Sequence, residues 1–185
     1  TVDFFNQHIE AAVQLDCDHM VVSTGFAYLD VDAEDAFGWC AEAMGRIARK
    51  AEQEGVTLAV EPFTKYTTHI CNEASQLRRL LRTVNSPRLT GLADTDVIAT
   101  TAVDTFSTFL DVIGPENLGH VHFVDGNPGG HLVPGDGVLD LDGALEKLKA
   151  IHYTGALGLE VLDRRYVFAP EAAMKQAMDW YKERI

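Results

Sequence analysis

Four short apolar runs in this chain each carry, at or near their C-terminal end, a side chain able to bind a metal. TLAVE ends at Glu61, TGLAD at Asp94 and GLE at Glu160, and HVHFV contains His122. Side chains alternate along a strand. Glu61 therefore shares a face with Ala59, Glu160 with Gly158, and His122 with His120, opposite Val121 and Phe123. Three carboxylates and an imidazole gathered in a low-dielectric pocket need a counter-charge, and a divalent cation supplies one. The set is oxygen-rich, with one nitrogen and no thiolate. It suits Mn2+ or Mg2+ ahead of Co2+ or Zn2+.

Each residue has a plainer reading when taken alone. Glu61, before Pro62, reads as a solvated loop carboxylate, and Asp94 as a helix cap. His122 and His120 read as core histidines, and Glu160 as a partner for Arg164 or Arg165. The joint pattern is stronger than its parts, because four separate strand ends all carry ligand types.

Alternating units must position these residues. Apolar, β-branched runs at 19–25, 57–62, 89–94, 117–125 and 155–162 read as strands. Between them lie helical patterns. The chain opens in one; the next covers 34–54, with Phe37, Cys40, Ala41, Met44, Ile47, Ala48 and Ala51 at helical spacing and Gly55 as the stop. Others are expected at 73–84 behind an Asn72 cap, at 101–113 before Gly114-Pro115, at 141–151, and at 170–185 with Pro170 in the first turn. Trp39 and Trp180 fall on helices and read as packing residues. Strands alternating with helices imply βα units on a parallel sheet. Five strands fit part of a (β/α)8 barrel, which typically takes about 250 residues, or an open doubly wound sheet. No GxGxxG lies at a strand-to-helix turn, so the nucleotide-binding form of the latter has no support. In a barrel, the C-terminal strand ends form the active-site face, where the four ligand types would converge.

Composition narrows the functional classes. The net charge of −13 argues against nucleic acid as a partner. No apolar run reaches the ~18 residues of a membrane span, and no signal peptide opens the chain. Cys17, Cys40 and Cys71 lack CxxC spacing and read as reduced thiols of a cytoplasmic protein. Residues 1–185 read as a single domain.

The motifs VEPFTKY, GLADTD, HVHFVDGN…HLVPGDG and GLEVL, taken together, resemble the sugar phosphate isomerase/epimerase family of xylose-isomerase-like TIM barrels. Within that family they look most like the ketose 3-epimerases of the fructoselysine and D-tagatose type. The resemblance covers nearly the whole chain. It implies a (β/α)8 TIM barrel of which this chain supplies the C-terminal five units, strands four to eight, with the first three strands lying outside it. It implies Glu61, Asp94, His122 and Glu160 as metal ligands and the two glutamates as the acid/base pair. There are departures. Val97 stands where some members carry a histidine three residues after the aspartate, and Pro128 where the hexulose epimerases carry an arginine.

The expected chemistry is therefore a ketose or ketosamine 3-epimerase, an isomerase-class enzyme that moves a proton through a metal-stabilised enediolate, with Mn2+ the first choice of ion. His131, Asp125, Asn127 and Tyr66 are candidate substrate contacts, and Phe26 a further pocket residue. The partner is a small sugar, in a homo-oligomer (dimer or tetramer) by family habit. The same site would serve an aldose–ketose isomerase if the proton moves between carbons 1 and 2. A non-catalytic barrel remnant is the alternative from another class. An apurinic endonuclease would need the histidine that Val97 replaces and a basic surface.

Overall fold

A computed structural model describes residues 1–184. In chain order the elements are α1 (Val2–Gln14), β1 (His19–Ser23), α2 (Ala33–Glu54), β2 (Thr57–Glu61), α3 (Ala74–Val84), β3 (Leu89–Asp94), α4 (Thr95–Thr101), α5 (Phe106–Ile113), β4 (Leu118–His122), α6 (Leu141–Ala150), β5 (Leu157–Gly158) and α7 (Pro170–Lys182). Short 3-10 turns occupy Pro115–Asn117 and Arg164–Tyr166.

The five strands form one parallel sheet in the order β1-β2-β3-β4-β5, each beside its predecessor. A doubly wound sheet reverses its strand order at a switch point; this one does not. Each successive strand is reached through a helical connection, as in a barrel wall. The result is an arc of a barrel. Among the described residues β1 and β5 are its edges.

The core lies between sheet and helices. Leu58, Val60, Val121 and Phe123 point into it and are buried, leaving Glu61 and His122 on the opposite face. Helix α2 packs Phe37, Cys40, Met44, Ile47, Ala48 and Ala51 inward, in keeping with their spacing. Asp32 caps its first turn by accepting from the N–H groups of Glu34 and Asp35, and Gly55 ends it with φ +78°. Trp180 packs on Phe123 at 5.9 Å, but Trp39 is 61% exposed, so its packing role is not realised here. Among the described residues no helix is long and apolar enough to cross a membrane.

Several boundaries differ from the sequence expectation, for physical reasons. The helix expected at 101–113 is two helices. Asp94 starts α4 at once, Ala102 takes a left-handed φ of 57°, and Thr105 opens α5 through a reciprocal box with Thr108. Asn72 does not cap α3. Glu73 does, paired with Gln76, while the Asn72 amide donates to the carbonyls of Phe63 and Thr68. Strand β5 is two residues rather than the expected eight, so Glu160 lies beyond it. Strand β4 stops at His122, because Thr95 Oγ1 takes over the Val124 backbone, donating to its carbonyl at 2.6 Å and accepting its N–H at 3.0 Å.

A β-bulge aligns two of the candidate ligands. Gly91 pairs with Leu118, but Leu92 pairs with His120, so Gly119 is skipped and Asp94 stands abreast of His122. Without that shift Asp94 would sit beside Val121, and Asp94 and His122 would point to opposite faces. Only glycine fits at 119: a Cβ there would lie 2.0 Å from Thr90 Oγ1.

Candidate metal centre

Glu61, Asp94 and His122 are the last residues of β2, β3 and β4, and their side chains are 10%, 1% and 9% exposed. Glu160 follows β5, and its side chain is 38% exposed. His122 Nδ1 is the hub. It stands 3.1 Å from Glu61 Oε1, 3.3 Å from Glu160 Oε2 and 3.4 Å from Asp94 Oδ2. Ligand atoms from all four side chains lie within 4.8 Å of one another. The plainer reading of Asp94 also holds. Its Oδ1 accepts the N–H groups of Asp96 and Val97 at 2.8 Å each, capping α4, while its Oδ2 faces the cluster. Among the described residues Glu160 pairs with no arginine; Arg165 pairs with Asp163 instead.

The electrostatics are those of an anionic site. Burial alone would push the His122 imidazolium down, but Asp94, Glu160 and Glu61 outweigh it and lift it to about 11. His122 and His131 hold the Glu160 carboxyl down at about 2. Burial works against ionising Asp94, yet the two histidines and the Val97 N–H keep its carboxyl below the usual range. Asp94 Oδ2 is fully buried and accepts no hydrogen bond. In the metal-free site the imidazolium groups of His122 and His131, at 3.4 and 3.2 Å, supply its counter-charge without a well-aligned hydrogen bond. With three carboxylates and one imidazole nitrogen converging there, the residues fit a hard divalent cation. Glu61, Asp94, His122 and Glu160 would hold it.

His131 also lies in the centre. Its Nε2 is 3.2 Å from Asp94 Oδ2 and 3.4 Å from Glu160 Oε2, and its Nδ1 is 3.0 Å from Asp96 Oδ2. These carboxylates outweigh burial and lift the His131 imidazolium to about 12. Asp125 is placed differently from a substrate contact. It is buried, and its two oxygens accept the N–H groups of Gly126, Gly135, Gly137 and Leu139, so it folds the glycine-rich loop around itself. Asn127 is exposed in that loop, and Tyr66 is 79% exposed in the loop after β2. Among the described residues neither side chain hydrogen-bonds to the four candidate ligands. Phe26 stacks on Phe63 at 6.0 Å at the same end of the sheet. His120 lies edge-on to His122 at 5.4 Å and outside the cluster, and burial pushes its imidazolium down. Asp96 is the residue that sequence reasoning passed over. It is 1% exposed and holds both the ring and the N–H of His131. Its signal is the second aspartate of GLADTD.

A singly wound parallel sheet with ligand-type side chains at its C-terminal strand ends is a (β/α) barrel architecture with its functional face at that end. The chain belongs to the xylose isomerase-like TIM barrel family, whose model matches residues 1–184. The fructoselysine 3-epimerase of Shigella flexneri is 26% identical over 184 residues, covering 98% of this chain and 66% of that protein. The chain thus spans just under two thirds of that relative's length. Among solved structures, the 3-keto-D-glucoside 4-epimerase YcjR of E. coli superposes with a TM-score of 0.87 at 19% identity, over 98% of this chain and 70% of that one. The IolI protein, solved with a bound zinc atom, gives 0.82 at 19% identity, over 96% and 66%.

Proposed function

We propose that this chain carries the metal-binding and acid/base groups of a sugar epimerase, specifically a ketose or ketosamine 3-epimerase. The observation that carries the reading is the meeting of Glu61, Asp94, His122 and Glu160 within 4.8 Å at the strand ends. The fructoselysine 3-epimerase similarity supports the choice of substrate class. A divalent ion held there would act as a Lewis acid, stabilising the negative charge that grows on the sugar oxygens as a proton leaves the carbon beside a carbonyl. The oxygen-rich donor set favours Mn2+, and the zinc of IolI shows that a fold relative accepts a softer ion.

The chain's own residues move the proton. One of Glu61 and Glu160 removes it from carbon 3, and the other returns a proton to the opposite face, inverting the centre. Glu160 would enter as the carboxylate, the form that a cation beside it favours. Tyr66 and Asn127, exposed in loops at this end, are the side chains offered to the sugar hydroxyls.

Turnover of a ketose and ketosamine panel in deuterated water tests the reading. Label at carbon 3 is the expected result. Label at carbon 1 or 2 would make the site an aldose–ketose isomerase, and no label with any sugar would leave the epimerase reading without support.

A further inference from the structure

Glu160 differs from the other three ligands in having no strand to hold it. Strand β5 ends at Gly158, and the Glu160 side chain is 38% exposed against 10% or less for the rest. His131 brackets it from the facing loop. The His131 ring presents Nε2 at 3.4 Å from Glu160 Oε2, and the His131 carbonyl accepts the Leu162 N–H at 3.1 Å, two residues further on. To reach both partners His131 adopts a left-handed backbone, φ +47°. A non-glycine residue held there signals a surrounding structure that over-determines it.

Asp96 is what determines it. Its carboxylate accepts the His131 N–H at 3.0 Å and the Gly129 N–H at 2.5 Å, and stands 3.0 Å from His131 Nδ1. Gly126 lets the loop approach this closely, since a Cβ there would fall 1.9 Å from Asp96 Oδ1. Asp96 itself sits in the first turn of α4, which Asp94 caps. The ring of His131 thus has carboxylates at both ends, buried Asp96 at Nδ1 and Asp94 with Glu160 at Nε2, and of these Glu160 is the one no strand holds.

We propose that Asp96 and His131 form a positioning pair that sets the Glu160 carboxylate in the metal centre. It rests on the reading of Glu160 as a metal ligand and acid/base group. Outer partners of this kind, a carboxylate orienting a histidine beside a ligand, typically change metal affinity or activity by about 10–100-fold when removed.

The test is Mn2+ titration of the metal-free protein, followed by kcat and KM. Asn at 131 restores an amide near the Nδ1 place, facing Asp96; Gln restores one near the Nε2 place, facing Glu160. His131→Asn and Asp96→Asn are expected to weaken Mn2+ binding by about 10–100-fold and to lower kcat more than they raise KM. His131→Gln should recover most of the affinity, which a purely structural role for the ring would not permit. Unchanged Mn2+ affinity in His131→Asn overturns the proposal, as does a rise in KM alone, which would make His131 a substrate contact. If Asp96→Asn does not fold, the two His131 variants decide the matter. The titration is read without any sugar, so an absence of epimerase turnover does not blur it. A wild type that binds no Mn2+ overturns the ligand reading and this proposal together.

Discussion

The two oxygens of Asp94 face two different tasks. Oδ1 caps α4, and Oδ2, buried and without a hydrogen bond, faces the cluster. Both readings were visible in the residue type, but deciding that they coexist required the orientation of the carboxylate. His131 was legible from its loop motif as a candidate substrate contact. Its place against Asp94, Asp96 and Glu160 was not, since it depends on a positive φ that no motif specifies. The acid/base assignment belongs to this scale. Glu61→Gln and Glu160→Gln keep the volume and one oxygen donor while removing the basic group. Each is expected to lower epimerisation by roughly 10²–10⁴-fold, the usual contribution of general acid–base catalysis, with metal still partly bound. Steady-state rates alongside Mn2+ content are the check, and near-normal turnover in either variant would contradict the pairing.

Among the elements, the strand ends and α2 were readable because apolar periodicity reports burial directly. The bulge between β3 and β4 was not, although it decides whether Asp94 and His122 share a face. Its only trace in the sequence is Gly119 in NLGHVH, and the reason for that glycine, Thr90 Oγ1 pressed against it, comes from a neighbouring strand. The division of the expected 101–113 helix into α4 and α5 and the brevity of β5 have the same origin, in contacts and caps rather than in propensity. Gly119→Ala is a test at this level. The added methyl meets a β-branched side chain that is itself bonded to the Leu58 carbonyl at 3.0 Å, so it has little room to yield. Overpacking of this kind costs about 1–3 kcal/mol. Urea unfolding should show that loss together with weaker Mn2+ binding; an unaltered midpoint would mean the bulge tolerates a side chain.

At the scale of the molecule, an acidic chain of net charge −13 gathers three carboxylates at one point of an arc of parallel strands. The parallel sheet and its helices were legible from the alternation of patterns. Alternation alone left barrel arc and doubly wound sheet open; the motif resemblance pointed to the barrel, and the strand order agrees. The candidate ligands come from three strand ends and the segment after β5, so an ion bound there would tie β2, β3, β4 and that segment together. Metal and proton compete for the same nitrogen. In the metal-free protein His122 is lifted to about 11 and so carries its proton at neutral pH, which an incoming ion must displace. Affinity should therefore rise with pH, by roughly tenfold per unit below that value for the loss of one proton. The most direct measurement is calorimetric titration of the metal-free protein with Mn2+ in buffers of different ionisation enthalpy. One ion per chain, with about one proton released near pH 7 and binding abolished by His122→Ala, is the predicted result. No saturable binding, or binding untouched by that substitution, would contradict it.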